Sequence, residues 1–208
     1  MQGVDIIFSI IILLFSVVIH EVSHGFMAEY FGDDTARNEG RLTLNPVSHI
    51  DPIGSIVLPI LLVMSHLPFF AWAKPVPYNP RNLRDLKWGT FWVAFAGVLA
   101  NIFIAVVFSI VIRIGSHYQL PASFYFITSS IVVVNLALAI FNLIPIPPLD
   151  GSKILFSLLP HRFFGYLLIL EQYSFVVLLV FVFFFASYLT PVLSFLFKLF
   201  TGFSLALG

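Results

Sequence analysis

Cysteine is absent from the 208 residues, and charge is scarce: ten basic and ten acidic side chains make up 10% of the chain and cancel to zero net charge. Without thiols there are no disulfides and no thiolate ligands, so any metal must be held by imidazole and carboxylate. No basic tail or basic patch interleaved with aromatics occurs, which argues against nucleic acid as a partner. The N-terminus lacks the basic region of a secretion signal, and its apolar run carries the residues singled out below, so it reads as mature sequence. What the chain has in excess is apolar side chain: 60% of residues, with 25 Phe, more than a soluble interior of this size holds. This is the composition of an integral membrane protein, with the lipid bilayer as its surroundings.

Apolar stretches fall at about 4–31, 53–73, 89–114, 123–144, 163–189 and 191–207, against the roughly 20 residues a spanning helix needs. Arg37, Arg41, Lys74, Arg81, Arg84, Lys87, Lys153 and Arg162 crowd three of the connections, which the positive-inside tendency assigns to the cytoplasm. If 53–73 crossed the membrane, two of these basic connections would lie on opposite sides. Pro52, Pro59, Pro68 and Gly54 instead permit it to dip in and return. The expected fold is an all-α polytopic bundle of about five spanning helices, with a re-entrant or short-strand segment after the first. Residues 1–208 form one membrane-embedded domain in this reading. Within it, Leu42 and Leu44 alternate with Arg41 and Thr43 in a short strand-like pattern that could pair with an unwound peptide. Glu171 and Gln172 are unusual in an apolar run and mark either a polar path, with 163–189 and 191–207 as a gate, or the membrane surface.

Inside the first apolar run stands His20-Glu21-Val22-Ser23-His24, an H-E-x-x-H pattern. Histidines four apart share one helix face and can bring both imidazoles to a single metal ion, with the glutamate beside them as a base toward water. A catalytic zinc site wants a third protein ligand. The best candidate is Asp150, which closes the Pro-rich break Asn142-Leu143-Ile144-Pro145-Ile146-Pro147-Pro148-Leu149-Asp150-Gly151. Its alternative is to cap the segment that follows it.

These residues resemble those of the site-2 protease family of intramembrane zinc metalloproteases. The likeness rests on the HExxH motif, on Asn142 through Gly151, and on Gly40-Arg41-Leu42-Thr43-Leu44-Asn45-Pro46 with His49-Ile50-Asp51-Pro52-Ile53-Gly54 between them. It implies that His20, His24 and Asp150 bind one zinc ion per chain and that Glu21 is the general base. It further implies substrates that are transmembrane proteins, cut in or near their spanning helices. The basic connections put the site toward the cytoplasm, and the expected location is a prokaryotic cell membrane. One departure is visible: where the family often reads Ala-Gly-Pro-x-Ala-Asn, this chain has Ala96-Gly97-Val98-Leu99-Ala100-Asn101. Asn142 is the favoured second catalytic residue, an uncharged donor near Asp150 for the oxyanion of the tetrahedral intermediate. Asn135, seven residues earlier on the same face, and Asn101 read as bonds to neighbouring helices. Among the remaining histidines, only His49 lies in a family-like stretch. Oligomeric state does not follow from the sequence.

Overall fold

A computed structural model describes residues 2–57, 61, 64 and 73–205. The first helix, α1, runs Gln2–Tyr30. It stops at Gly32, whose φ of 102° is the left-handed backbone that a side chain would strain. Gly32 N–H bonds to Glu29 O and Asp33 N–H to Ala28 O, the paired closure that satisfies the last carbonyls of a helix. A single turn, α2 (Thr35–Asn38), follows. α3 spans Leu86–Gly115 and starts where the Asp85 side chain accepts Trp88 N–H at 2.9 Å. α4 spans Ala122–Asn142 between Pro121 and the Pro-rich turn, and α5 is Asp150–Leu158. α6 (Phe164–Gln172), α7 (Ser174–Phe185) and α8 (Leu189–Thr201) complete the chain.

Ile7–Tyr30, Leu86–Gly115 and Ala122–Asn142 are long and apolar enough to cross a membrane. α6 and α7 make a fourth span only if counted as one, since they meet at 71°. The described residues therefore hold three or four candidate spans, fewer than the five expected. The reason lies in lengths: the fifth stretch breaks just after Glu171 and Gln172, and α8 has 13 residues, about 20 Å of helix. The region 96–101, without its proline, lies in an unbroken helix.

No strand occurs among the described residues, and Arg41–Asn45 has no regular structure. Its backbone is engaged by side chains instead: Thr43 O faces His49 Nε2 at 2.9 Å, while the Arg41 side chain turns inward to the Lys74 and Pro75 carbonyls. The expected re-entrant stretch 53–73 lies outside the described residues, apart from the helical turn Pro52–Val57 and two isolated positions. Its flanks meet, however, with Lys74 N–H bonded to His49 O at 2.9 Å, so the chain leaves and returns at one place.

α3 is the hub, packed on α1, α4 and α5. Its buried positions include Gly89, Ala94, Ala96, Gly97, Ala105 and Ser109, small residues that let helix backbones approach where lipid gives no hydrophobic drive to associate. At one end, Ala105, Ile112, Val132, Leu136 and Phe197 form a core joining α3, α4 and α8. At the other, Ala28, Leu83 and Val93 pack with Met27, Phe31 and Tyr78. That second end gathers the C-terminus of α1, the N-terminus of α3 and the C-terminus of α4, together with the basic connections. Arg113 and Lys198 stand at the opposite end, where Arg113 is bonded to the last carbonyls of α8 at Leu199 and Phe200.

Candidate metal centre

Ser16, His20 and His24 recur every four residues on α1, and Val93, Gly97 and Asn101 do the same on α3, so each helix presents one stripe to the other. The two stripes interlock. His24 Nδ1 lies 2.6 Å from Val93 O, and because a carbonyl only accepts, that nitrogen carries the proton. His20 Nδ1 lies 2.6 Å from Asn101 Oδ1. The orientation of that amide is fixed through a chain of bonds. Asn135 Nδ2 donates to Ile131 O, which turns Asn135 Oδ1 toward Asn101 Nδ2 at 2.8 Å, and Asn101 Nδ2 also reaches Ser16 O. Asn101 therefore offers His20 its oxygen, and His20 Nδ1 is protonated as well. Both Nε2 lone pairs are left for a ligand role, the arrangement found where a second layer of acceptors fixes metal-binding histidines.

Those two lone pairs converge on Asp150. Asp150 Oδ2 lies 3.1 Å from His20 Nε2 and 3.2 Å from His24 Nε2, with all three residues buried. Three electron-pair donors pointed at one another repel unless a cation lies among them. The spacing suits one: bonds of about 2 Å in a tetrahedral site put neighbouring ligand atoms roughly 3.3 Å apart. The ligand atoms of His20, Glu21 and His24 also fall within 4.8 Å of one another, but the Glu21 carboxylate has a partner of its own. Glu21 Oε2 accepts the Val76 N–H at 3.0 Å. Of the two carboxylates, Asp150 is the one aimed at both imidazoles.

Asp150 arrives by way of the turn 143–149, where prolines end α4. It is the first residue of α5, and no side-chain bond caps that helix, so the capping alternative does not describe it. Gly151 makes the turn possible, because a Cβ there would fall 2.3 Å from Leu143 O. The other Asp150 oxygen, Oδ1, lies 3.6 Å from Lys153 Nζ. Burial alone would raise the Asp150 pKa, yet the positive charge around it, the Lys153 ammonium included, outweighs burial and holds the carboxyl below the ordinary range. Lys153 shows the counterpart: burial would lower it, but Asp150, Tyr78 and Glu21 raise it, and it stays a cation.

The cluster opens on a cavity of about 130 Å³ lined by Glu21, Val76, Tyr78, Asn142 and Lys153 beside the three donors. Asn142, the expected oxyanion donor, thus reaches the site, although its Nδ2 also donates to Leu138 O one turn back at 3.0 Å. Asn101 carries more than the helix-to-helix bond expected of it, since its partner is His20 itself. Gly97 had no assigned part. A Cβ there would lie 2.6 Å from both His20 Cε1 and His24 Nε2. The four-residue spacing of Val93, Gly97 and Asn101 was the available signal. His49 is buried away from the cluster, against Thr43.

Peptidase family M50 matches residues 118–187, which take in α4, the Pro-rich turn and Asp150. A relative named "Putative zinc metalloprotease YwhC", from Bacillus subtilis (strain 168), is 37% identical over 179 residues, 82% of this chain and 78% of that protein. "Zinc metalloprotease MJ0392" from Methanocaldococcus jannaschii is 29% identical over 157 residues, which are 76% of this chain and 35% of that longer relative. No solved structure matches. With spanning helices, a donor cluster suited to zinc, and these likenesses, the chain belongs to peptidase family M50, the site-2 protease family, as an integral membrane zinc metalloprotease.

Proposed function

We propose that the protein is an intramembrane endopeptidase of the site-2 type, which hydrolyses peptide bonds in or near the spanning helices of membrane proteins. The observation that carries this reading is the meeting of His20 Nε2, His24 Nε2 and Asp150 Oδ2 within a bundle of apolar helices. His24 lies six residues, about 9 Å, before the end of α1, and His20 about 15 Å. A protease for soluble substrates has no reason to set its ligands at that depth.

In this reading His20, His24 and Asp150 hold zinc, one ion per chain. Bound there, zinc acts as a Lewis acid and brings water within reach of deprotonation near neutral pH. Glu21 takes the proton from the attacking water and passes it to the leaving amine, its carboxylate lining the same cavity. Asn142 offers a neutral N–H to the oxyanion. Lys153 forms an ion pair with the outer oxygen of Asp150 and favours turning the other to the imidazoles. A helical substrate hides its carbonyls in its own hydrogen bonds, so it unwinds first, and helix-breaking residues in the substrate ease that step. The basic connections lie at the end of the bundle that holds the site, which by the positive-inside tendency faces the cytoplasm of a prokaryotic cell.

The test is cleavage of a panel of single-span substrates by purified protein, with zinc measured on each variant. Glu21→Gln is expected to keep zinc and lose cleavage by about a hundredfold or more, and Asp150→Ala to lose both. Cleavage at the wild-type rate by Glu21→Gln overturns the reading.

A further inference from the structure

We infer that Arg41 and the main-chain N–H of Val76 form a positioning device for Glu21, an inference that rests on the role proposed for that carboxylate. The segment Lys74-Pro75-Val76-Pro77-Tyr78 passes over the site as a strap, and Pro75, Val76 and Tyr78 line its cavity. Proline has no N–H, so between residues 75 and 77 the strap owns one main-chain donor. That donor, Val76 N–H, is the one given to Glu21 Oε2.

The seat of the strap is cut into α1. Gly25 follows Glu21 by one turn on the same helix face, and a Cβ at Gly25 would lie 2.8 Å from Val76 Cγ1 and 2.5 Å from Leu42 Cδ2. Glycine thus lets Val76 settle deeply enough for its N–H to meet the carboxylate. From the far side, Arg41 Nη2 donates to Lys74 O at 3.1 Å and to Pro75 O at 3.2 Å. Arg41 is 8% exposed, and its Nε has no partner among the described residues. A guanidinium buried this far is costly as mere filling. Its placement is accounted for if it sets the register of the strap over Glu21. Two further ties hold the ends: Lys74 N–H on His49 O, and Asn79 N–H on Asp33 Oδ2.

A free glutamate has three rotatable bonds and lies close enough to the donor cluster to turn onto it. Fixing Oε2 on Val76 keeps Glu21 beside that cluster and leaves Oε1 to accept a proton. Arg41 thereby acts on the reaction through two main-chain carbonyls and one N–H, without touching substrate.

Full-length protein in detergent carries the test. Val76→Pro removes the N–H, whereas Val76→Ala keeps it and trims the side chain that packs over Gly25. Arg41→Met removes the fork, and Arg41→Lys keeps its charge. Val76→Pro and Arg41→Met are expected to lower kcat roughly ten- to hundredfold with zinc content and KM near wild type. Val76→Ala should lose less than Val76→Pro, and Arg41→Lys should recover part of the Arg41→Met loss. Amide exchange over residues 74–78 should quicken in Arg41→Met and in Glu21→Ala, which lacks the acceptor. Wild-type kcat in zinc-loaded Val76→Pro would overturn the inference, and so would a raised kcat, which would make the strap a lid. If Val76→Pro does not fold, unchanged kcat and unchanged exchange in Arg41→Met overturn it alone. Failure of the underlying reading looks different: Glu21→Gln would then cleave, while exchange in Glu21→Ala would still report the strap.

Discussion

Asn101 and Gly97 hold the two histidines from opposite needs, one by a bond and the other by leaving space. Removing the Asn101 oxygen frees His20 to rotate and lets its tautomer change, and partners of this kind are worth ten- to hundredfold in metal affinity. Asn101→Leu is therefore expected to weaken zinc binding about that much in competition with a chelator of known affinity. Gly97→Ala drives a methyl group against ring atoms of both histidines, and the two rings cannot both retreat while facing Asp150. Its zinc affinity should fall at least as far. An affinity equal to wild type in either variant would show that these contacts do not orient the ligands.

At the scale of elements, the site is built where connections between helices meet, and Asp33 knots two of them together, the one after α1 and the one before α3. It is fully buried just past α1, where it accepts Asn79 N–H at 2.6 Å, Asn82 Nδ2 at 2.8 Å and the Thr35 hydroxyl at 2.5 Å. Burial would raise its pKa, but the bonds from Thr35, Asn79 and Asn82 outweigh that and hold it below the ordinary value. A depressed folded-state pKa stabilises the protein above the unfolded value, near 3.8, and that stability is lost as pH falls through the folded value. Asp33→Ala should cost about 2–3 kcal/mol in thermal or denaturant unfolding near neutral pH, with the gap to wild type closing in acid. A gap that stayed constant down to low pH would contradict the ionised knot.

The same connections show where sequence reading stopped. The prolines after Asn142 and the glycine after Asp150 announce a turn with a carboxylate at its end, because both act on the local backbone. The alternation around Leu42 and Leu44 also looks local, yet no strand forms there. His49 claims the Thr43 carbonyl and Arg41 those of Lys74 and Pro75, and the Arg41 partners, more than thirty residues away, lie outside any short window. The fifth apolar stretch is legible as hydrophobic but not as bent, since hydropathy records composition and not direction.

Over the whole molecule, the donors at positions 20, 24 and 150 bring α1 and α5 together across the bundle, so zinc held there, as proposed, would act as a cross-link as well as a reagent. Any ligand held by the folded state alone stabilises it by mass action, about 4 kcal/mol when present at a thousand times its dissociation constant. Zinc added to chelator-treated protein should raise the unfolding temperature of the wild type and of Glu21→Gln, and leave Asp150→Ala unmoved. An equal rise in Asp150→Ala would place the ion elsewhere.

The sequence by itself determined the solvent of this protein, the helical character of its spans and the pairing of His20 with His24, since composition and a four-residue period act within one helix. Only the tertiary structure decided which ring nitrogens face Asp150, which of two carboxylates lies against both of them, and that a Pro-Val-Pro strap rests on Glu21. Those depend on contacts 81, 130 and 55 residues apart in the chain, where the partner is chosen by how helices pack and not by any neighbouring residue.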